Sequence, residues 1–282
     1  MPEDLTVIVV ALVGGEALER CSKAVSKQAP NFLVVQRDGA ITDAAGNPAG
    51  SAESLDIPAK RKRAIELAST PLVAVLEDTV LPDDGWANAV SKELDQGQFV
   101  AVGGPVSVDP GLPAPSRALA LSEYGAFGRN RGGDMSTLPG CNFAFRRNAV
   151  LQAMESKGLV DQVVFRNLQA AGGKLGWSPA MAVTFAHPNP DGARLGTRFD
   201  HGRIYASAEN AGAGLLGRAA SASKALLLPP LLTMRSLRNA GASDWCSPAT
   251  IGWLALQQTA WAAGEFVGAI AGPSRKGMGQ WQ

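Results

Sequence analysis

Apolar positions fall in unbroken runs near the N-terminus and in helical stripes between them. Residues 5–13 (LTVIVVALV) form a continuous β-branched run, the pattern of a strand buried on both faces. Residues 16–28 place Leu18, Cys21 and Val25 on one stripe, with Glu19, Lys23 and Lys27 away from it, which predicts a helix. A second strand, Asn31–Gln36, ends at Arg37-Asp38-Gly39, and residues 40–53, small and polar, read as loop. The next helix starts at Asp56-Ile57-Pro58, with the acid placed to cap it and proline in its first turn, and runs towards Ser69. A third strand, Leu72–Leu76, stops abruptly at Glu77-Asp78-Thr79.

Strands alternating with helices predict a doubly wound α/β sheet. In such sheets ligands bind beyond the carboxyl ends of the strands, where Asp38 and Glu77-Asp78 both fall. The same residue types also favour ordinary turns. After Pro82 and Trp86 come a helix over 86–95 and a short strand, Phe99–Val102. Residues 106–135, rich in Gly, Pro and Arg, read as a long loop, a feature usually functional or mobile in a compact domain. Residues 138–147 form a strand followed by a helix near 148–156; Asp161 opens a helix over 161–171, ended by Gly172-Gly173. A last strand, Ala182–Ala186, ends at His187.

From Leu215 the character changes. Residues 225–234 are apolar or nearly so, interrupted by Pro229 and Pro230, and flanked by Arg218, Lys224, Arg235 and Arg238. That run is too short to span a bilayer, which needs about 20 apolar residues, and its basic edges suit an anionic membrane surface. Residues 249–272 are long enough to span. On a helix, however, Gln258, Trp261 and Glu265 share one face, opposite Leu256, Ala260, Ala263 and Val267. A helix lying in the membrane interface is expected, with packing on the α/β domain or a partner chain as the alternative. The expected organisation is therefore an α/β domain over 1–214, an apolar helical segment over 215–273 and a disordered tail over 274–282.

Composition narrows the classes. With 282 residues and 46% hydrophobic content the chain can bury a sizeable core. Lys and Arg number 26 against 25 Asp and Glu, so no global basic field exists to hold nucleic acid. Cys21, Cys141 and Cys246 are scattered and match no zinc spacing, which indicates a reducing compartment. The N-terminus is acidic ahead of its apolar run, the reverse of a signal peptide, so a cytoplasmic location is expected.

The order of the motifs resembles a family-2 glycosyltransferase of the GT-A fold, over roughly residues 5–205. Residues 73–86 (VAVLEDTVLPDDGW) are similar to that family's strand, acidic motif, then Pro and Trp. Residues 140–147 (GCNFAFRR) resemble its acceptor-side strand, and Asp161, Gly172-Gly173, Trp177 and His187 follow in the order of its catalytic segment. Residues 263–268 (AGEFVG) resemble a C-terminal motif of membrane-associated bacterial members. The resemblance implies an α/β fold with a GT-A-like doubly wound mixed sheet flanked by helices, here with a C-terminal apolar helical appendage. It also implies an inverting transfer of a sugar from a UDP- or GDP-linked donor to a lipid-linked or polysaccharide acceptor, at the cytoplasmic face of the inner membrane.

Under that resemblance Asp38 accepts a hydrogen bond from the base, and Arg61 or Lys62 offsets the charge of the departing diphosphate. For the run Lys60–Arg63 a solvated helix face is the competing explanation. Glu77 and Asp78 would hold the ribose and a divalent cation, Mn²⁺ or Mg²⁺, bridging the phosphates, with His187 a further candidate metal ligand or an ordinary capped imidazole. Asp161 is the candidate base that deprotonates the acceptor hydroxyl, and equally a residue suited to a helix N-cap. Asn142 and Arg146 fall on the acceptor side, while Arg198, His201 and Arg203 suit a lid over the diphosphate or a basic surface loop.

The sequence departs from the family at Thr79, where the commonest motif has Asp, and at Val160 and Gln162, which leave Asp161 without an acidic neighbour. Those departures keep a second class open, a catalytically degenerate sugar-nucleotide-binding scaffold in a polysaccharide assembly complex. A dinucleotide-dependent oxidoreductase is disfavoured, because Val13-Gly14-Gly15-Glu16 lacks the spaced glycines of a pyrophosphate loop.

Overall fold

The computed structural model describes residues 1–52, 56–128, 135–154, 158–188, 195–210, 212–240 and 247–272. The tail 274–282, Cys246 and parts of the 106–135 and 188–215 segments lie outside them. In chain order the elements are β1 (Leu5–Val10), α1 (Gly15–Ser26), β2 (Asn31–Val35), β3 (Ala40–Asp43), β4 (Pro48–Ser51), α2 (Ile57–Leu67), β5 (Leu72–Glu77), β6 (Val80–Pro82) and α3 (Trp86–Asp95). Then come β7 (Ala101–Gly103), β8 (Val106–Val108), α4 (Ala114–Tyr124), β9 (Asn142–Arg146), α5 (Arg147–Ala153), α6 (Asp161–Ala170), β10 (Leu175–Trp177) and β11 (Val183–Phe185). Four helices close the chain: α7 (Leu195–Glu209), α8 (Leu215–Ala225), α9 (Leu228–Ala240) and α10 (Pro248–Ala271).

Two compact units result. One comprises Met1–Ser107 and Arg129–His187; the other, Val108–Gly128 and the chain from Pro188 on. The first contains an eight-stranded sheet in the order β10-β7-β9-β5-β1-β2-β3-β4. At its centre β1 runs parallel to both β2 and β5 and is buried along its whole length, which is why its sequence shows no alternation. β9 inserts antiparallel between β5 and β7, making the sheet mixed. The fold is thus the α/β mixed sheet flanked by helices that the sequence predicted.

Two segments expected as loop carry regular structure. Residues 40–51 form β3 and β4, which extend the sheet edge antiparallel to β2. Only Ile41 among them is fully buried, so an edge hairpin of small polar residues leaves no apolar alternation to read. Within 106–135, residues 114–124 form α4, whose Ala118 and Leu121 pack with Leu254 of α10.

Among the described residues the second unit is mainly helical, with α10 packed against α4, α7, α8 and α9. The contact between α7 and α10 is close because it is lined with glycine. A Cβ on Gly202 would lie 2.2 Å from Trp261 O, one on Gly264 2.0 Å from Phe199 O, and one on Gly268 2.2 Å from Arg203 O. Residues 263–268, singled out as a motif, therefore work as a packing surface. The face expected to be polar is turned inward: Gln257 and Gln258 are buried, and the Arg198 guanidinium lies 4.6 Å from the Trp261 ring centroid. Among the described residues no helix is long and apolar enough to cross a membrane.

Candidate functional site

The carboxyl ends of β1, β2 and β5 bring together three loops, the first turns of α2 and the N-terminus of α6, all in the α/β unit. α2 is the pivot. Its inward stripe is fixed by Ala64 and Ile65, and one turn earlier that stripe is occupied by Lys60 and Arg61, both buried. Arg63 is exposed and Lys62 half-buried, so of the two candidates for meeting the diphosphate Arg61 is the one enclosed by the fold.

Arg61 joins two of the predicted site acids. Its Nη2 donates to Glu77 Oε1 at 2.8 Å and to Gly140 O at 3.2 Å, while Nη1 donates to Asp161 Oδ1 at 2.9 Å. The guanidinium carbon also lies 5.8 Å from the Phe143 ring centroid. One cation thus serves two carboxylates, the Glu77 side chain 10% exposed and the Asp161 side chain 23%. Burial pushes the Asp161 carboxyl above the ordinary aspartate value, and the neighbouring Arg61 charge and hydrogen bond oppose the rise.

Local sequence explains why Asp161 reaches Arg61. The α6 N-cap is Val160, and Asp161 is the first helical residue with its side chain directed to the guanidinium rather than capping the helix. α6 is held by Val164, Phe165 and Leu168 in the core, with Phe165 edge-on to Phe143 of β9 at 5.7 Å. Gly158, at φ 97°, lets the preceding turn meet α2: Leu159 N donates to Pro58 O at 3.0 Å. Gly140 is required for the same approach, since a Cβ there would lie 2.6 Å from Asp161 Oδ2.

Asp38 lies in the tight turn joining β2 to β3, exposed, with Oδ1 accepting from Ala40 N at 3.0 Å. Beneath that turn Lys60 Nζ donates to Arg37 O at 2.6 Å, and burial lowers the lysine's pKa while Asp38 opposes the shift. Lys60 was not among the predicted site residues. The signal existed in its helical position, four residues before Ala64.

Asp78 has a different employment from the one expected. It is 2% exposed, and its carboxylate accepts from the amides of Leu12 (3.0 Å), Val13 (3.0 Å) and Gly14 (2.6 Å), shaping the loop after β1. Thr79 Oγ1 is buried without a hydrogen-bond partner among the described residues. The β6–β11 pairing continues through Ala186 N to Thr79 O, at 3.0 Å, immediately before His187. Among the described residues no three of His, Cys, Asp and Glu gather as a metal cluster. With Asp78 held by amides and Glu77 by Arg61, these side chains do not fit a cation enclosed by protein ligands.

Three further candidates are engaged elsewhere. Asn142 is fully buried and cross-links the fold: its Oδ1 accepts from Trp86 Nε1 at 2.9 Å, and its Nδ2 donates to Gly104 O at 3.2 Å and Met181 O at 2.7 Å. Arg146 pairs with Leu72 at the opposite end of β5 from Glu77 and donates to Leu94 O, so it does not join the cluster. The antiparallel register produces this, carrying β9 roughly 13 Å away from the site between Asn142 and Arg146. Arg203 lies in α7 of the helical unit, with Nε donating to Gly272 O at 2.9 Å beyond the end of α10. Arg198 and His201 are in the same helix, a regular element where a loop-like lid was expected.

No protein-family model matches this sequence, and no curated protein matches it. Solved structures do. Among them is a mannosyltransferase, PcManGT from Pyrobaculum calidifontis in complex with GDP-Man and Mn2+, at 16% identity and TM-score 0.50, covering 92% of this chain and 85% of that chain. An eight-stranded mixed sheet flanked by helices, matched over that much of both chains, gives this protein a GT-A-like fold.

Proposed function

We propose that the chain is an inverting glycosyltransferase, moving a sugar from a nucleoside-diphosphate donor to a lipid-linked or polysaccharide acceptor. The observation that carries this is Arg61 bridging Glu77 and Asp161 at the carboxyl ends of parallel strands in a GT-A-like fold. Asp161 is the base. It takes the proton of the acceptor hydroxyl as that oxygen bonds to the anomeric carbon, while the bond from that carbon to the phosphate oxygen breaks and its electron pair leaves with the nucleoside diphosphate. A carboxyl raised by burial and kept ionisable by a guanidinium suits that task, because a base works best with its pKa near the operating pH.

Asp38, exposed at its turn and backed by the Lys60 ammonium, is the proposed contact for the nucleotide base. GDP-Man in the solved mannosyltransferase supports a nucleotide-sugar donor, and Mn2+ there supports a divalent cation. Mn²⁺ or Mg²⁺ would enter with the donor, taking most of its ligands from phosphate oxygens and supplying charge for the departing diphosphate.

The test is a thermal-shift panel of UDP, GDP, CMP and ADP, with and without Mn²⁺, followed by donor turnover. A nucleotide at 100 times its dissociation constant stabilises the chain by about 2.7 kcal/mol. One nucleotide is expected to raise the melting temperature. Asp161→Asn is expected to keep that shift and lose transfer. Normal turnover in that variant removes Asp161 from the mechanism; nucleotide binding without turnover in the unaltered chain leaves the binding scaffold instead.

A further inference from the structure

The pair α8 and α9 carries large apolar residues on its outward face as well as its inward one. Facing the helical unit they bury Ala222, Ala225 and Ser236 and pack Leu237 against the core. Facing outward they carry large apolar ones: Leu215, Leu216, Leu226, Leu227, Leu231 and Met234 are between 58% and 89% exposed. Leu227, Leu231 and Met234 lie at i, i+4 and i+7, a single stripe that begins at the α8–α9 junction and continues down α9. Scattered exposed leucines need no explanation, but a stripe of this kind marks an interaction surface.

Charge identifies the partner. Between Glu209 and Asp244 the sequence has four basic residues, Arg218, Lys224, Arg235 and Arg238, and no acid. Lys224 precedes the junction, and Arg235 and Arg238 continue from the Met234 end; all three are exposed. An apolar stripe edged by cations and free of anions complements a surface that offers apolar chains beneath negative headgroups. A protein partner would need no such one-sided charge.

We propose that the outward face of α8 and α9 is a docking surface for an anionic lipid bilayer, with Leu227, Leu231 and Met234 entering the headgroup boundary and Lys224, Arg235 and Arg238 meeting lipid phosphates. The run 225–234, whose basic edges suit this role by sequence, ends α8 and opens α9, whereas α10 has Gln257 and Gln258 buried. This stands independently of sugar transfer, since vesicle binding is read without donor or acceptor.

The experiment is co-sedimentation of the full chain with vesicles of phosphatidylcholine alone or mixed with phosphatidylglycerol. Binding is expected only to the mixed vesicles, weakening as salt shortens the Debye length from about 10 Å at 0.1 M to about 3 Å at 1 M. Replacing Lys224, Arg235 and Arg238 by Gln is expected to lower the partition by about fivefold per removed cation. Leu227→Ser, Leu231→Ser and Met234→Ser together are expected to abolish it. All six positions are solvent-facing, so circular dichroism and the nucleotide-dependent thermal shift should be unchanged in both variants. Equal partition onto neutral vesicles, or none onto either kind, overturns the proposal. So does a dimer in sedimentation that disperses in the triple-serine variant while vesicle binding persists, which would make a second copy of the chain the occupant.

Discussion

Arg61 donates to two carboxylates at once, so its removal acts on both. Arg61→Met leaves Glu77 and Asp161 without their shared cation, and loss of one partner from a buried ion pair destabilises by about 3 kcal/mol or more. Denaturant unfolding measures this directly. The pH dependence follows from the direction of the Asp161 shift. Burial raises that carboxyl, so a base at this position is protonated at pH values where an exposed aspartate is already ionised, and turnover rises with pH across a window above the ordinary value. Arg61 limits the rise. In Arg61→Met the acid limb of kcat/KM is therefore expected to move to higher pH, whereas Arg61→Lys keeps a cation and moves it less. The sign for stability agrees: a carboxyl raised by folding favours the native state most at low pH, and that contribution fades as pH climbs through the folded value.

At the scale of elements, α2, β9 and α6 converge because glycine permits two backbone approaches. Gly158 combines a positive φ with a neighbour, Pro58 O, that a Cβ would meet at 2.3 Å. Gly46 also has a positive φ, in the turn between β3 and β4, but nothing lies within 4 Å of a Cβ there. The two positions separate backbone strain from steric conflict. Gly158→Ala is expected to destabilise by about 1–3 kcal/mol and to reduce turnover, since it pushes the start of α6, and with it Asp161, away from α2. Gly46→Ala should show only the conformational cost, with turnover intact. Equal turnover in the two variants would mean that the Leu159–Pro58 contact does not position Asp161.

For the molecule as a whole, the helical unit is assembled from two separated stretches of chain, Val108–Gly128 and the part from Pro188 on. A cut after residue 214, where composition changes, would leave α4 and α7 without α10. Ala118 and Leu121 would lose Leu254, and Gly202 and Phe199 would lose the helix packed on them. The fragment 1–214 is therefore expected to aggregate or to bind hydrophobic dyes strongly, as size-exclusion chromatography and dye fluorescence would reveal. A soluble monomeric fragment with native circular dichroism would show that α4 and α7 hold without α10.

How much of this was legible beforehand depended on the range of the interactions involved. The buried parallel strands, the acids at their ends, α3 and α6 follow from local pattern, because a continuous apolar run or a helical stripe records burial directly. The position of Asp161 at the start of a helix was equally local. Its engagement with Arg61, 100 residues away in sequence, was not, because it depends on glycine-mediated approaches that leave no periodic trace. The edge strands β3 and β4 and the helix α4 escaped because their burial is partial and their composition ordinary. Sequence by itself determined the α/β class, the order of the central elements and which strand ends carry acids, all consequences of chain-local hydrophobic patterning. Only tertiary structure decided that Asp78 braces a loop, that Asn142 cross-links the core, that Arg146 falls at the far end of the sheet, and that the glutamines of α10 are buried. Those outcomes rest on strand register and on which helix face finds a neighbour.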